Sequence, residues 1–337
     1  MIDIPKSKTN SLSKYKFIDL FAGIGGFHYA LSSFGATCVF SSEWDKYATE
    51  TYKINFKIEP KGDITQINEI DIPNHDILCG GFPCQAFSIS GKRKGFEDTR
   101  GTLFFDIARI ANYHHPKVLF LENVKNLVKH DDGKTLATIV KTLENLNYSV
   151  FTKVFNASHF GLPQNRERIY IVAFNNSKIN SKNFKFPTPT NERVCLEHIL
   201  EEEPKNAKII LRDDIEIYKT YKIENSLFGE LELLNKPIQI GKVNKGGQGE
   251  RIYHSLGHAI TLSAHGGGVG SKTGLYLING KIRKLSPREC ARVQGFPDDF
   301  ILNDADGQSY KQFGNSVSIN VLQNIILEIE KILKENE

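Results

Sequence analysis

A short apolar segment that runs into a glycine-rich turn constrains the fold of this chain most strongly. Residues 17–21 have the composition of a buried strand, residues 22–26 contain three glycines, and a helical segment follows from about His28. Glycines in such a turn let the backbone approach a ligand and let the helix pack close to the sheet. A strand, a glycine turn and a helix in this order are typical of nucleotide-binding α/β folds of many kinds.

The same alternation continues through the first half of the chain. Apolar strand-like runs recur between helical segments, and this pattern predicts an α/β domain built on a Rossmann-like sheet. Further strands are predicted at residues 37–41, 77–79, 116–121, 148–155 and 169–174, and helices are predicted up to Arg109 and over residues 131–147.

Cys84 is the strongest candidate for covalent chemistry. It follows the apolar run Ile77–Cys79 and a Gly-Gly-Phe-Pro segment, which predicts a turn at the carboxyl end of a strand, where open α/β sheets bind ligands. A thiolate is a strong nucleophile, and Pro83 fixes the backbone angle just before it. A lone cysteine is also among the most commonly buried residues, so the residue type alone leaves both interpretations open.

Acidic residues beyond the glycine turn favour an adenosyl ligand. Glu43 follows that turn by about 20 residues, where a Rossmann-like site places its acceptor for ribose hydroxyls. Trp44 either stacks on a purine or packs in the core, and Asp63 either accepts from an adenine amino group or caps a turn. Because the turn lacks the third glycine of the dinucleotide fingerprint, a ligand without a pyrophosphate is expected.

Three charged residues follow or precede the later strands. Glu122 comes directly after the strand predicted at 116–121, where burial of an ionised carboxylate is costly, so its pKa is expected to rise and it either acts as a proton donor or caps the structure. Arg166 and Arg168 precede the strand predicted at 169–174. Strand alternation would point both the same way, to orient a carboxylate or phosphate, whereas the alternative is ordinary solvated charge.

A smaller domain is predicted in the second half of the chain. The alternation of strands and helices is lost after residue 175, and two glycine clusters, residues 245–251 and 265–270, interrupt short strand-like segments. Gln248 and Arg251 carry donors that can read base edges, so these loops either follow a groove or are mobile hairpin tips. The strand-like segments are residues 236–243, 252–262 and 275–278. The larger predicted domain contains residues 1–192 and 304–337, and the smaller one contains residues 193–303.

Composition excludes several classes of protein. With 40% hydrophobic and 24% charged residues, the chain has no run long enough to span a bilayer and no signal peptide in its polar start, so a cytoplasmic protein is expected. The five cysteines form no CxxC pair, and His254 and His258 lack the glutamate of a zincin motif, so no metal is expected. The net charge of +4 permits a polyanionic partner, and the lack of heptads favours a monomer.

Six segments occur in the order typical of cytosine-5 DNA methyltransferases, and the chain resembles that family over nearly its whole length. The segments are Asp19–Gly26, Gly81–Gln85, Glu122–Val124, Gln164–Arg168, Arg288–Gly295 and Gly314–Val317. The resemblance implies an S-adenosylmethionine-dependent methyltransferase sheet with a smaller, mostly β target-recognition domain. It further implies a restriction-modification enzyme that acts on double-stranded DNA, most simply on the first cytosine of GCGC, with a companion endonuclease as a functional but not a physical partner.

The resemblance also assigns roles to residues. Cys84 would add to C6 of a cytosine flipped out of the duplex, Glu122 would act at N3, and Arg166 and Arg168 would orient the base. S-adenosylmethionine, released as S-adenosylhomocysteine, would contact Phe21, Gly23, Gly25, Glu43, Trp44, Asp63, Ile64, Pro83, Leu103, Asn315 and Val317. Contacts with DNA would come from Ser90, Gln248, Arg251 and Thr261, of which Ser90 and Gln248 would fill the space that the base leaves and Arg251 would read a guanine.

Three other functions compete with this one. RNA cytosine-5 methylation uses the same scaffold, although a glycine-loop domain sized for a duplex groove argues against it. A catalytically silent DNA-binding module is disfavoured because Cys84, Glu122 and both arginines are present. A nicotinamide-dependent dehydrogenase would need the missing third glycine.

Overall fold

The computed structural model describes residues 10–83, 103–190, 192, 194–218, 236–265 and 267–337. The chain divides into two compact units. The six-stranded unit contains Ser7–Phe155, Glu167–Pro187 and Leu322–Glu337, and the five-stranded unit contains Asn156–Arg166 and Thr188–Val321. This mixed α/β architecture with a second, smaller sheet confirms the predicted fold class.

A six-stranded sheet forms the first unit, in the order β2-β1-β3-β4-β6-β5. Strands β1 to β4 pair in parallel, and β6 pairs antiparallel with β4. The strands are β1 Lys16–Leu20, β2 Thr37–Ser42, β3 Ile77–Gly81, β4 Val118–Val124, β5 Tyr148–Asn156 and β6 Glu167–Asn175. The helices are α1 Gly26–Ser32, α2 Lys46–Phe56, α3 Leu103–His114 and α4 Lys134–Asn145.

Apolar side chains from the sheet and from its helices make one core. Leu20, Leu78 and Leu119 of the central strands are fully buried together with Ile107 of α3 and Ile139 of α4. Such near-continuous apolar strands are typical of a parallel sheet that helices cover. Because β1, β3 and β4 are parallel, their carboxyl ends lie at one edge of the sheet, and ligands of open α/β sheets bind at that edge.

The five-stranded unit has its own small sheet and core, in the order β11-β10-β9-β8-β7. Its core consists of the buried residues Ile210, Ile240, Val243, Ile252, Leu275 and Ile282. The strands are β7 Glu216–Ile217, β8 Gln239–Lys242, β9 Arg251–His254, β10 Leu275–Ile278 and β11 Lys281–Arg283. The helices that follow are α5 Pro287–Val293, α6 Asp306–Asn315 and α7 Ile319–Glu335, the last of which continues into the six-stranded unit.

Helix α5 begins with a capping box and a proline. The Ser286 hydroxyl accepts from the Glu289 N–H at 3.1 Å, the Glu289 carboxylate accepts from the Ser286 N–H at 2.8 Å, and Pro287 occupies the first turn. Glu289 is fully buried and is compensated by two hydrogen bonds from Arg283, at 2.7 and 2.8 Å. Loss of either partner would therefore leave an unpaired buried charge.

The last helix returns to the first unit. Residues 322–337 belong to the six-stranded unit, and the Gln323 amide donates to the Ser33 hydroxyl at 2.9 Å. The division also gives residues 156–166 and 304–321 to the five-stranded unit, whereas the sequence assigns them to the larger domain. The domain boundaries inferred from the sequence stay a prediction.

Several elements differ in extent from the sequence prediction, and three of these differences have a clear structural reason. Helix α4 begins only at Lys134, because Asp131 and Asp132 have positive φ values of 49° and 51°. Strand β9 ends at His254, where the Leu256 N–H donates to the histidine ring and a turn replaces the strand. Strand β4 continues to Val124, because its pairing with β6 extends that far.

Candidate active site

Glu122 and Arg168 form a close ion pair at the end of the sheet. Glu122 lies on β4 directly opposite Gly81 of β3, and its carboxylate is 3.0 Å from Nε of Arg168 on β6. The Glu122 side chain is 9% exposed and that of Arg168 is 15% exposed. Desolvation of both groups strengthens their attraction and makes the loss of one partner costly.

Asn123 connects this pair to the chain that leads to residue 84. Its buried side-chain amide donates to the Phe82 carbonyl at 2.8 Å, and its carbonyl oxygen accepts from the Val124 N–H, also at 2.8 Å. Cys84 and Ser90 themselves lie outside the described residues. The described chain therefore carries the backbone to Pro83 from a strand position that pairs directly with Glu122.

Arg166 has a different environment from Arg168. It precedes β6, so strand alternation does not govern its direction. Its guanidinium donates to the carbonyls of Leu262, Gly314 and Ser316 at 3.2, 3.3 and 2.5 Å, and the residue is 2% exposed. Solvated surface charge is thereby excluded for Arg166, which holds two loops of the five-stranded unit together.

The glycine turn after β1 forms an open backbone cradle. Gly23 has a φ of 54°, and no atom lies within 4 Å of the Cβ that another residue would place there. Its N–H donates to the Glu43 carboxylate at 2.8 Å, and the other oxygen of that carboxylate accepts from the Asp45 N–H at 2.8 Å. Burial raises the pKa of Glu43, although these backbone donors oppose the change.

The side chains beside this cradle are open to a ligand. Trp44 is 82% exposed, so the alternative of core packing is wrong for it. Asp63 is exposed and accepts from the Thr65 N–H at 3.0 Å, so it does cap the turn, and its other oxygen has no described hydrogen bond. The half-buried carboxylate of Glu43 fits the ribose of S-adenosylmethionine, the exposed ring of Trp44 fits its adenine, and the open backbone at Gly23 fits its amino-acid part.

The other residues assigned to the cofactor are placed as follows. Phe21 begins the turn with a φ of 53°, Ile64 is buried, and Leu103 opens α3. Gly25 has a φ of 86°, and a Cβ there would meet the ring of Phe56, so this glycine serves packing. Pro83 is exposed at the end of the described segment, and Asn315 and Val317 belong to the five-stranded unit.

A buried polar cluster supports the strand that precedes the cradle. Asp19 of β1 is 1% exposed, and burial raises its pKa, although hydrogen bonds from the His28 backbone and the Cys79 thiol oppose the change. The Cys79 thiol is 3.8 Å from its carboxyl. His28 Nδ1 lies 2.6 Å from the Tyr52 hydroxyl, and burial lowers the pKa of His28 to about 4.

The predicted DNA-contacting residues that are described lie in the five-stranded unit. Gln248 and Arg251 are exposed, Gln248 in the turn after β8 and Arg251 as the first residue of β9. Thr261 is exposed and its hydroxyl donates to the Asn165 carbonyl at 2.5 Å. Among the described residues, no group of three or more His, Cys, Asp or Glu side chains could hold a metal ion.

Comparison with known proteins decides the family. A family model described as C-5 cytosine-specific DNA methylase matches residues 15–331. The chain belongs to this family. As a cytosine-5 DNA methyltransferase it is an enzyme, and such methyltransferases use S-adenosylmethionine as the methyl donor.

Relatives and solved structures agree with this membership. The chain is 54% identical to the type II methyltransferase M.HhaI of Haemophilus parahaemolyticus over 330 residues, which cover 98% of this chain and 97% of that protein. It is 45% identical to the type II methyltransferase M.HpaII of Haemophilus parainfluenzae, over 95% of this chain and 90% of that one. The crystal structure of the S. pombe Dnmt2 methyltransferase matches with a TM-score of 0.67 at 20% identity, covering 95% of this chain and 99% of that chain, and shows the fold alone.

Sequence patterns gave no role to two residues whose side chains form hydrogen bonds beside the candidate site residues. Asn123 donates to the Phe82 carbonyl in the segment before Cys84, and Glu250 accepts from the Gly247 N–H in the loop that carries Gln248. Both lie within segments that the sequence singles out, Asn123 in Glu122–Val124 and Glu250 in residues 245–251. The chain contains no described helix that is long and apolar enough to cross a membrane.

Proposed function

We propose that this enzyme transfers a methyl group to C5 of a cytosine that is flipped out of duplex DNA, through a covalent adduct with Cys84. The pairing of β3 with β4, which places Gly81 opposite Glu122, carries this proposal. The chain runs only two residues from Gly81 to Pro83, and Asn123 fixes Phe82 between them. The described backbone therefore reaches Pro83, the residue before Cys84 in the sequence, from a position that pairs with a buried carboxylate and its arginine.

The residues divide the chemistry as follows. The Cys84 thiolate gives an electron pair to C6 of the cytosine, and the electrons of the C5–C6 double bond move to C5, which becomes nucleophilic. Glu122 holds or protonates N3 and so stabilises the charge that develops in the ring, while Arg168 fixes the carboxylate. After methyl transfer a base removes the C5 proton, and the returning electrons expel the thiolate.

S-adenosylmethionine supplies the electrophilic methyl group. Gly23, Glu43, Trp44 and Asp63 would bind it at the carboxyl end of the sheet, with Phe21, Ile64, Pro83 and Leu103 around them. Gly25 supports this site through its packing against Phe56. The parts of Asn315 and Val317 stay a prediction, as does the direct role of Arg166 at the base.

Three of the four residues proposed to contact DNA, Gln248, Arg251 and Thr261, belong to the five-stranded unit. Gln248 and Ser90 would fill the space that the flipped base leaves, Arg251 would donate to a guanine, and Thr261 would support these contacts. Unstacking a base costs a few kcal/mol, which such contacts offset. By its 54% identity to M.HhaI, we infer that the recognition sequence is GCGC and that the first cytosine is methylated.

Bisulfite sequencing of DNA from cells that express the protein tests reaction, base and context together. We expect the first cytosine of GCGC to resist conversion by bisulfite when the cells express the protein, and to be converted when they express Cys84→Ala. Modification at another sequence would refute only the recognition site. Full methylation by Cys84→Ala would refute the assignment of Cys84 as the nucleophile. Transfer of the methyl group to tRNA in preference to duplex DNA would favour an enzyme that methylates RNA.

We further propose that the protein is a monomer that acts in the cytoplasm, and that a companion endonuclease is its functional but not its physical partner.

A further inference from the structure

Two glycine-rich loops of the five-stranded unit touch through their backbones. The first glycine loop, residues 243–250, joins β8 to β9, and the second glycine loop, residues 267–270, precedes β10. The Gly270 N–H donates to the Gly249 carbonyl at 2.7 Å. This hydrogen bond joins the two loops through their described residues.

The contact leaves no room for a side chain at residue 249. A Cβ on Gly249 would lie 2.1 Å from the carbonyl oxygen of Gly267, and a Cβ on Gly268 would lie 3.1 Å from the carbonyl oxygen of Gly249. Both obstacles are backbone atoms, so no side-chain rotation relieves them. Any residue larger than glycine at 249 therefore separates the loops.

Glu250 braces the first loop from its other side. One carboxylate oxygen accepts from the Gly247 N–H at 2.9 Å, and the other accepts from the Asn244 amide at 2.8 Å. The backbone closes the same loop, because the Val243 N–H donates to the Glu250 carbonyl at 2.8 Å. Gln248 lies between these fixed points, and Arg251 follows them directly.

We infer that Gly249 and Glu250 are positioning residues for sequence recognition, which hold Gln248 and Arg251 in one arrangement fixed by the second glycine loop. This inference rests on the proposed function, because it assumes that these two side chains meet the DNA. A base contact depends on donor geometry, so a shifted loop loses discrimination between sequences. Binding to the phosphate backbone carries no sequence information and depends less on that geometry.

The test compares Gly249→Ala with the unchanged full-length protein on two duplexes. One duplex carries the sequence that bisulfite sequencing identifies for the unchanged protein, and the other differs from it by one base pair. We expect Gly249→Ala to bind the first duplex about tenfold more weakly than the unchanged protein does, and to bind the second duplex with nearly the same affinity. The preference for the first duplex over the second is then largely lost. Its affinity for S-adenosylmethionine, read from the fluorescence of Trp44, stays unchanged, since that residue belongs to the six-stranded unit.

Gly307→Ala is the matched control. Gly307 lies in α6 with no atom within 4 Å of its missing Cβ, so the same substitution should keep the wild-type preference. Glu250→Gln adds no bulk and can satisfy only one of two hydrogen bonds, so we expect a loss of preference of about threefold. This second variant decides the matter if Gly249→Ala fails to fold.

The possible outcomes distinguish a failure of this inference from a failure of the proposed function. If Gly249→Ala and Glu250→Gln both keep the wild-type preference between the duplexes, the positioning role is overturned. It is also overturned if they bind both duplexes more weakly by the same factor. A wild-type protein that methylates no DNA overturns the proposed function itself, and it does so before either variant is measured.

Discussion

At the scale of single residues, the burial of charge determines what each group can do. Glu122 is 7% exposed, and Arg168 on the neighbouring strand supplies its counter-charge at 3.0 Å. Arg166, two residues earlier, instead holds backbone carbonyls of another loop. Two arginines that appear equivalent in sequence thus have different partners, because β6 begins between them.

Glu122→Gln tests the acid–base role. The amide keeps the shape of the side chain but cannot transfer a proton or carry charge, so we expect kcat to fall by about 10²–10⁴-fold with little change in the KM for S-adenosylmethionine. Steady-state methyl transfer to duplex DNA measures both. Glu167→Gln is the control, because Glu167 adjoins Arg168 and forms an exposed pair with Lys125, and it should retain activity. A retained kcat in Glu122→Gln would contradict the assignment.

The buried side chain of His28 should make the stability of the protein depend on pH. Burial lowers the pKa of His28 to about 4 from 6.5, so below pH 6.5 the unfolded chain binds a proton that the folded protein excludes. The stabilisation present above pH 6.5 is lost as the pH falls towards 4, by about 3 kcal/mol from this residue.

Denaturant unfolding of His28→Gln between pH 7 and 4.5 measures this loss. The variant should lose less stability over that range than the unchanged protein, although His75 and His258, whose pKa values burial also lowers to about 4, keep part of the slope. His159→Gln, at an exposed position, serves as the control. Parallel curves for His28→Gln and the unchanged protein would refute a buried neutral His28.

At the scale of elements, glycine turns at strand ends differ in the space that they leave beside the backbone. The turn after β1 leaves space at Gly23, whereas the first glycine loop leaves none at Gly249. The same residue type therefore leaves open space beside the backbone in one place and serves backbone packing in the other. Sequence alone does not separate these uses, since both appear as clusters of glycine.

Gly23→Ala tests the cradle against a matched glycine. Gly280 lies in the turn between β10 and β11, and both glycines have positive φ and open space at the missing Cβ. Each alanine should cost roughly 1 kcal/mol of stability through the left-handed backbone. Only Gly23→Ala should weaken S-adenosylmethionine binding, by about tenfold or more. Equal affinity in the two variants, measured by Trp44 fluorescence, would remove Gly23 from the site.

Sequence patterns predicted the six-stranded sheet well, because most of its strands contain a short apolar run, such as Ile77–Cys79 in β3. They failed where tertiary contacts decide the conformation. Asp131 and Asp132 look like the start of a helix but adopt left-handed angles, and residues 255–262 look like a strand but turn after His254. The exposure of Trp44 and the partners of Arg166 also depend on packing that no local pattern encodes.

At the scale of the whole molecule, the chain combines two compact units with separate cores. The six-stranded unit contains Glu122, Arg168 and the cofactor cradle, and the five-stranded unit contains the two glycine loops. This division predicts that damage to the loops changes the choice of sequence, whereas damage to the cradle changes methyl-donor affinity. Both kinds of damage end in the same loss of methylation, so binding and turnover must be measured separately.

Covalent trapping on duplex DNA with 5-fluorocytosine at the target position tests the central claim most directly. Fluorine at C5 blocks the proton removal that releases the enzyme, so the adduct accumulates once the methyl group has been transferred. With S-adenosylmethionine present, we predict one protein–DNA adduct whose linked peptide contains Cys84, the same adduct in Cys195→Ser, and none in Cys84→Ser. An adduct through another residue, or undiminished methyl transfer by Cys84→Ser, would contradict the account.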